Sequence, residues 1–108
     1  MRIIFHAHHA SISDQMRRRA EVASERAASR LSRAVDAIIR FEQDGRLKRV
    51  EIILHSPRHR DLVAQGEARF YGTALSTAIQ KLTSQVRKMR TASTSSRRLP
   101  AMRKAARA

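Results

Sequence analysis

The stretch Ala37-Ile-Ile-Arg-Phe-Glu-Gln-Asp-Gly-Arg-Leu-Lys-Arg-Val-Glu-Ile-Ile-Leu54 has apolar residues at every second position on both sides of one Asp-Gly pair. The first apolar series runs from Ala37 to Phe41 and the second from Val50 to Leu54. A period of two is typical of a strand with one buried face, and Asp-Gly between two such strands is a strong hairpin signal. The stretch therefore predicts a β-hairpin with one apolar face.

Two further segments have the same period. Residues from Arg2 to His8 alternate, and so do the residues from Leu62 to Phe70 after the break at Ser56-Pro57. Alternation over this length favours half-buried strands. We therefore expect a strand before the hairpin and another after it, with Phe70 on the buried side of the last one.

Two helices are predicted between and after these strands. Ser13 is a good N-cap for a helix from Asp14 to about Val35, a stretch that has no Gly or Pro and has apolar residues at steps of three and four. A second apolar stripe of this kind begins at Tyr71 and predicts a helix to about Arg90. The order of elements is then β-α-β-β-β-α.

This order predicts an α+β fold in which both helices pack on one face of a four-stranded sheet. A right-handed crossover through the first helix should place the first strand parallel to the second. The other face of the sheet is expected to carry a few apolar residues among charged ones. These apolar residues are Ile4, Ile38, Ile53 and Val63.

Composition limits the function. The 108 residues include 23 Lys and Arg against 9 Asp and Glu, a formal net charge of +14, and there is no Cys. This length predicts one domain, the many Ala leave little bulky core for a small-molecule pocket, and the absence of Cys excludes disulfides and thiolate metal sites. No apolar run is long enough for a membrane span or a signal peptide, so we expect a cytoplasmic protein with no membrane partner.

The charge is unevenly distributed along the chain. All 9 acidic residues lie in residues 1–90, whereas residues 91–108 hold 5 basic residues and no acidic ones. We expect a folded domain at 1–90 and a basic tail at 91–108 that is disordered until it meets a polyanion. The tail residues expected to contact RNA are Arg97, Arg98, Arg103 and Lys104.

Helical phase gathers the bases of the domain on two flanks. Arg19, Arg26, Arg30 and Arg33 share one flank of the first helix, and Lys81 and Lys88 share one flank of the second. Guanidinium groups suit bidentate contact with phosphates, so segregated bases favour a nucleic-acid partner. Because no motif for reading base edges is present and the three Phe are predicted on buried-side positions, we expect recognition of structured RNA through shape and phosphates.

Three other hypotheses follow from single residues. His6 and His8 could bind a metal if a third ligand such as His55 or Asp61 converged on them, but no such set is defined, so we expect no metal and no cofactor. An RNA-processing enzyme could be built from His55, His59 and Glu67, although nothing fixes their geometry, so we expect no enzyme. Tyr71 lies in the buried stripe of the second helix, where a tyrosine is more often a core residue than an RNA contact.

The complete pattern resembles a known family. The residues that carry the resemblance are Ser13-Asp-Gln-Met-Arg17 at the start of a basic helix, the Asp-Gly hairpin, and Tyr71-Gly-Thr-Ala-Leu-Ser-Thr-Ala-Ile-Gln-Lys-Leu-Thr-Ser-Gln-Val-Arg-Lys-Met-Arg90. They are similar to the ribosome hibernation-promoting factors, or ribosome-associated translation inhibitors, over about residues 1–90. The length of the chain resembles the short members of that family.

The resemblance implies a protein that binds rRNA of the small ribosomal subunit in the channel for mRNA and tRNA, and that silences translation by occlusion under stress. By matching positions, it implies rRNA contacts for Tyr71, Lys81, Arg87, Lys88 and Arg90, together with Arg26, Arg30 and Arg33. We expect a monomer off the ribosome.

Short members include some that promote ribosome dimers and some that prevent them, and both effects remain open for this chain. A non-ribosomal binder of structured RNA is the alternative function.

Overall fold

The structure is a computed structural model of the chain. It describes the backbone of residues 1–8, 11–31, 36–57 and 59–107, and the side chains of residues 1–7, 11–31, 36–57 and 60–89. The elements are β1 (Arg2–His8), α1 (Asp14–Ser29), β2 (Asp36–Asp44), β3 (Leu47–Ser56), β4 (His59–Ala68) and α2 (Tyr71–Arg107).

The four strands form one sheet in the order β1-β2-β3-β4. β1 pairs parallel with β2, and the other two pairings are antiparallel. The predicted α+β fold, the order of its elements and the parallel first pair are confirmed. Gly45 forms the hairpin turn with φ of 61°, a left-handed conformation that glycine adopts without a steric penalty.

The core lies between the helices and one face of the sheet. Its sheet side consists of the alternating residues of the hairpin together with Leu62 and Ala64 of β4. Its helix side consists of Ala20 and Ala27 of α1 and of a stripe along α2. The α2 stripe comprises Ala74, Leu75, Ala78, Leu82 and Val86. Leu75, Ala78, Leu82 and Val86 belong to the apolar stripe that the sequence predicts from Tyr71 onward, and Ala74 is buried in addition.

Helix α2 packs against β4 without a side chain between them. A Cβ placed on Gly66 would lie 2.8 Å from the backbone nitrogen of Ala78 and closer still to the carbonyl oxygen of Ala74. Real Cβ atoms do not approach backbone this closely, so the close packing requires glycine at position 66. This contact fixes the height of α2 above the sheet.

The helix ends differ from the prediction. Helix α1 ends at Ser29 rather than near Val35, and the backbone N–H groups of Arg30 and Leu31 donate to the carbonyls of Ala27 and Ala28, respectively. The reason is topological: β2 begins at Asp36 beside Arg2 of β1, so a helix to residue 35 would leave no connection.

Helix α2 continues to Arg107, past the predicted end near Arg90. Ala and Arg, which are frequent in this segment, favour the helix, whereas Pro100 in its interior removes one backbone hydrogen bond. The division into a domain at 1–90 and an RNA-binding tail at 91–108 stays a prediction.

The predicted place of Phe70 is wrong. The strand ends at Ala68, and Phe70 is 71% exposed rather than buried. Its carbonyl accepts from the backbone N–H of Ala74, so Phe70 directly precedes the first turn of α2. At Tyr71 the side-chain period changes from the two residues of a strand to the 3.6 residues of a helix. Tyr71, and not Phe70, therefore packs against the core.

Candidate nucleic-acid interface

A groove runs between the two helices on the outer surface of the helical layer. Its first part has a volume of about 380 Å³ and an apolar floor that includes Val22 and Ile79. A continuation of about 210 Å³ leads along both helices to Val86. The basic side chains that line the two parts are Arg18, Arg19, Arg26 and Arg30. Three of the four predicted α1 arginines therefore line one feature, which we call the interhelical groove.

One of these arginines connects the two helices. Arg19 Nη2 donates to Ser76 Oγ on α2 over 3.0 Å. Ser76 Oγ in turn donates to the carbonyl oxygen of Gly72 over 3.0 Å. The bonds hold the exposed Arg19 side chain across the groove, and its guanidinium has further N–H groups that can donate to an anion.

The lysines of α2 lie on its other side. Gln85 Nε2 donates over 2.8 Å to the carbonyl oxygen of Val63 on β4, which is an edge strand of the sheet. Lys81 and Lys88 are four residues before and three after Gln85, so helical phase places them on the same side. Both are exposed. We call Lys81 and Lys88 the lysine flank, and it lies across α2 from the interhelical groove.

The open face of the sheet has a different charge pattern. Cross-strand neighbours there form ion pairs, so that acids and bases largely cancel. The pairs are Arg2 with Asp36 at 3.2 Å, Arg40 with Glu51 at 3.6 Å, and Arg49 with Glu42 at 3.5 Å and with Glu67 at 3.6 Å. His55 Nδ1 and Asp61 Oδ1 form a hydrogen bond of 2.7 Å on the same face. Among the residues that the structure describes, no base of either helix has an acidic partner. Among the described side chains, residues 14–30 and 71–89 of the helical layer have 8 bases against 3 acids, whereas the remaining residues have 7 bases against 6 acids. The excess of positive charge is thus concentrated on the helical layer.

An apolar row crosses the same open face. The strand register places its members directly opposite one another, between rows of charged residues. The row consists of Ile4, Ile38, Ile53 and Val63. This matches the expectation from the sequence, and the member on the β4 edge is 44% exposed.

Tyr71 has the environment of a core residue. Its ring meets Phe41 edge-on with centroids 5.9 Å apart, and Lys48 Nζ lies 5.4 Å from the Tyr71 centroid. The hydroxyl is buried and has no hydrogen-bond partner among the described residues. Burial, with a smaller contribution from the negative charge of Glu42, raises the pKa of Tyr71 above its usual value. An RNA contact by Tyr71 stays a prediction.

The remaining predicted contacts divide into two groups. Arg87 is exposed on α2. The others lie outside the described side chains, so their contacts stay predictions. They are Arg33, Arg90, Arg97, Arg98, Arg103 and Lys104.

The side chains considered for catalysis do not converge. His55 is bonded to Asp61, whereas Glu67 pairs with Arg49, six residues away along β3. Six residues of strand correspond to about 20 Å, too far for one site. His59 lies outside the described side chains. Within the same part of the chain, no three metal-ligating side chains come together, and no helix has the length and hydrophobicity needed to cross a membrane.

Fold and surface together define a small β-α-β-β-β-α protein with a basic helical layer and a charge-balanced sheet. Residues 3–93 match the family described as sigma 54 modulation protein / S30EA ribosomal protein, and the chain belongs to this family. The match confirms the resemblance to the hibernation-promoting factors and implies association with the ribosome. Comparison with curated protein sequences found no match.

Two solved structures share the fold. The N-terminal domain of Protein Y from Thermus thermophilus has a TM-score of 0.68 at 22% identity, over 82% of this chain and 99% of that one. A ribosomal subunit interface protein from Coxiella burnetii has a TM-score of 0.67 at 20% identity, over 84% of this chain and 99% of that one. At these identities the likeness supports the fold.

Proposed function

We propose that this protein binds the rRNA of the small ribosomal subunit in the channel for mRNA and tRNA and blocks translation by steric occlusion, without turnover. The observation that carries the proposal is the separation of charge between the two faces of the domain. Bases without acidic partners line the interhelical groove and the lysine flank, whereas most acids of the sheet are paired. A polyanion would bind the helical layer.

The arrangement suits a folded RNA. The arginines lie at two or more positions along the length of the groove. Each guanidinium group can donate two parallel hydrogen bonds to one phosphate. The lysine flank can contact a second backbone segment on the other side of α2. Contacts on both sides of one helix fit a surface formed by several RNA segments better than a single isolated strand.

Membership of an S30EA family favours the ribosome over other structured RNAs, and the Coxiella burnetii protein is named a ribosomal subunit interface protein. The sheet would serve as the rigid frame that holds both helices against rRNA. We expect a cytoplasmic protein that is a monomer off the ribosome and acts under stress. A structured-RNA binder that acts away from the ribosome remains the alternative, since it could use the same surface.

A competition experiment tests the occlusion. Small subunits are saturated with the protein, and the binding of labelled mRNA and of initiator tRNA is then measured. We expect both ligands to be displaced at one protein per subunit. Unchanged binding of both, on subunits that carry the protein, would contradict the channel as the binding site while leaving ribosome association intact.

A further inference from the structure

The large apolar side chain with the greatest exposure in the described part of the chain belongs to Phe70. It is 71% exposed, whereas Met1, Leu47, Val63 and Val22 lie between 40% and 49%. The core does not use Phe70, because Tyr71 packs against Phe41 at this point. A largely exposed phenyl ring that lies outside the core cluster is available for a ligand.

Phe70 extends the lysine flank. It lies 11 residues before Lys81 and 18 residues before Lys88. At about 100° per residue, these separations place all three within about 20° on one side of the helix. Along the axis, Lys81 and Lys88 are about 16 and 27 Å from Phe70. Extended back by one position from Tyr71, the helical phase therefore puts the Cα of Phe70 at the start of the line on which Lys81 and Lys88 lie.

The surroundings of Phe70 are also rich in cations. Arg69 precedes it, and Lys48 pairs with Ala68 in the register of β3 and β4. Arg46 and Phe70 each lie two residues beyond this pair, at the same end of the sheet, and both are exposed. The acids nearby are Asp44, next to the hairpin turn, and Glu42, which acts on Tyr71 and is paired with Arg49. The bases can contact the phosphates on either side of a nucleotide whose base meets the ring.

We propose that Phe70 stacks on an unpaired base of the bound RNA, whose backbone then follows the lysine flank. The inference rests on the proposed binding of RNA and adds a base contact that composition and pattern did not indicate. Base-aromatic stacking tolerates any sequence, because every base has a π-face. Phe70 would thus anchor one loop or bulge nucleotide and set the position of the protein along the RNA.

Fluorescence provides a direct test because the chain contains no Trp. Phe70→Trp places a single indole at the proposed contact, and Val63→Trp places one on the open face of the sheet as a control. Each variant is titrated with an RNA hairpin that has an unpaired loop and with a fully paired duplex of the same stem. We expect the hairpin to quench Phe70→Trp strongly, the duplex to quench it weakly, and neither RNA to quench Val63→Trp.

Affinity for small subunits gives a second measurement. Phe70→Ala should weaken binding by about 5- to 160-fold, the range for one stacked base, whereas Phe70→Tyr should stay near the wild type. Equal binding by Phe70→Ala and wild type would overturn the stacking. Weaker binding without any quenching of Phe70→Trp by RNA would also overturn it, since the ring would then contact protein. If the wild-type protein bound neither subunits nor RNA, the proposed function itself would fail.

Discussion

Gly66 of β4 lies directly under Ala74 of α2, and no side chain separates the two backbones. The contact predicts that Gly66→Ala lowers the free energy of unfolding by about 1–3 kcal/mol, because α2 must move away from the sheet to admit one methyl group. Chemical denaturation of the two proteins measures the difference.

Gly72 of α2 is the matched control for this change. A Cβ there would meet only Arg19 Nη1, at 3.9 Å. Gly72→Ala should therefore raise the free energy of unfolding by up to about 1 kcal/mol, the usual gain of Ala over Gly inside a helix. Equal effects of the two substitutions would contradict the close packing at Gly66.

The lysine flank predicts a surface-specific loss of binding. Lys81→Gln with Lys88→Gln should weaken binding to small subunits and lower the magnitude of the salt slope by about 0.7 to 0.9 for each lost phosphate contact. The melting temperature should change little because both side chains are exposed. The measurement is the dissociation constant at a series of salt concentrations.

Arg2→Gln with Arg40→Gln is the control for net charge. It also removes two positive charges, but from the open face of the sheet, where the side chains of Arg2 and Arg40 are 74% and 47% exposed. We expect near wild-type affinity and slope. An equal loss in both double variants would mean that binding depends on total charge and not on the helical layer.

The environment of Tyr71 predicts a specific pH dependence. Its pKa is raised in the folded state, first by burial and then by the charge of Glu42. Above pH 10 the unfolded chain therefore loses this proton while the folded protein retains it, so the free energy of unfolding falls as the pH rises. Tyr71→Phe should remove this contribution to the loss of stability at alkaline pH. Denaturation of both proteins between pH 8 and 11 measures the difference in the free energy of unfolding.

Tyr71→Phe also separates the two interpretations of this residue. The hydroxyl has no partner among the described residues, so its loss should not lower stability at neutral pH. If Tyr71 is a core residue, binding to small subunits should be unchanged as well. A clear loss of affinity at unchanged stability would instead assign the hydroxyl to RNA.

Residues 91–108 predict a contribution to binding that depends on salt. Deletion of the segment should lower the magnitude of the salt slope, with about 0.7 to 0.9 lost for each phosphate contact that disappears. Affinity at low salt should fall more than affinity at high salt. An unchanged slope would mean that these residues do not contact RNA.

Local periodicity predicted most of the fold. The hairpin around Gly45, the stripe of α2 and the cap of α1 at Ser13 each depend on residues close together in sequence, so each could be inferred before the structure. The end of α1 could not, because the pairing of Asp36 with Arg2 determines it over a long sequence distance. Phe70 was misplaced for a similar reason: the alternation of β4 continues through a position where the chain already turns into α2.

The candidate surface was predicted in its residues but not in its layout. Helical phase placed arginines on one flank of α1 and lysines on one flank of α2. It could not show that the first flank faces α2 across the groove while the second faces away from it, because this depends on how the helices sit side by side. The pairing of acids and bases on the open face likewise depends on strand register, as for Arg40 with Glu51.

Sedimentation with ribosomes tests the central claim most directly. The purified protein is centrifuged through sucrose gradients with intact ribosomes and with each separated subunit, at low and at high salt. The proposal predicts about one bound protein per small subunit and per intact ribosome, none on the large subunit, and release at high salt. Binding to bulk RNA without binding to small subunits would contradict the ribosomal function and support the structured-RNA alternative.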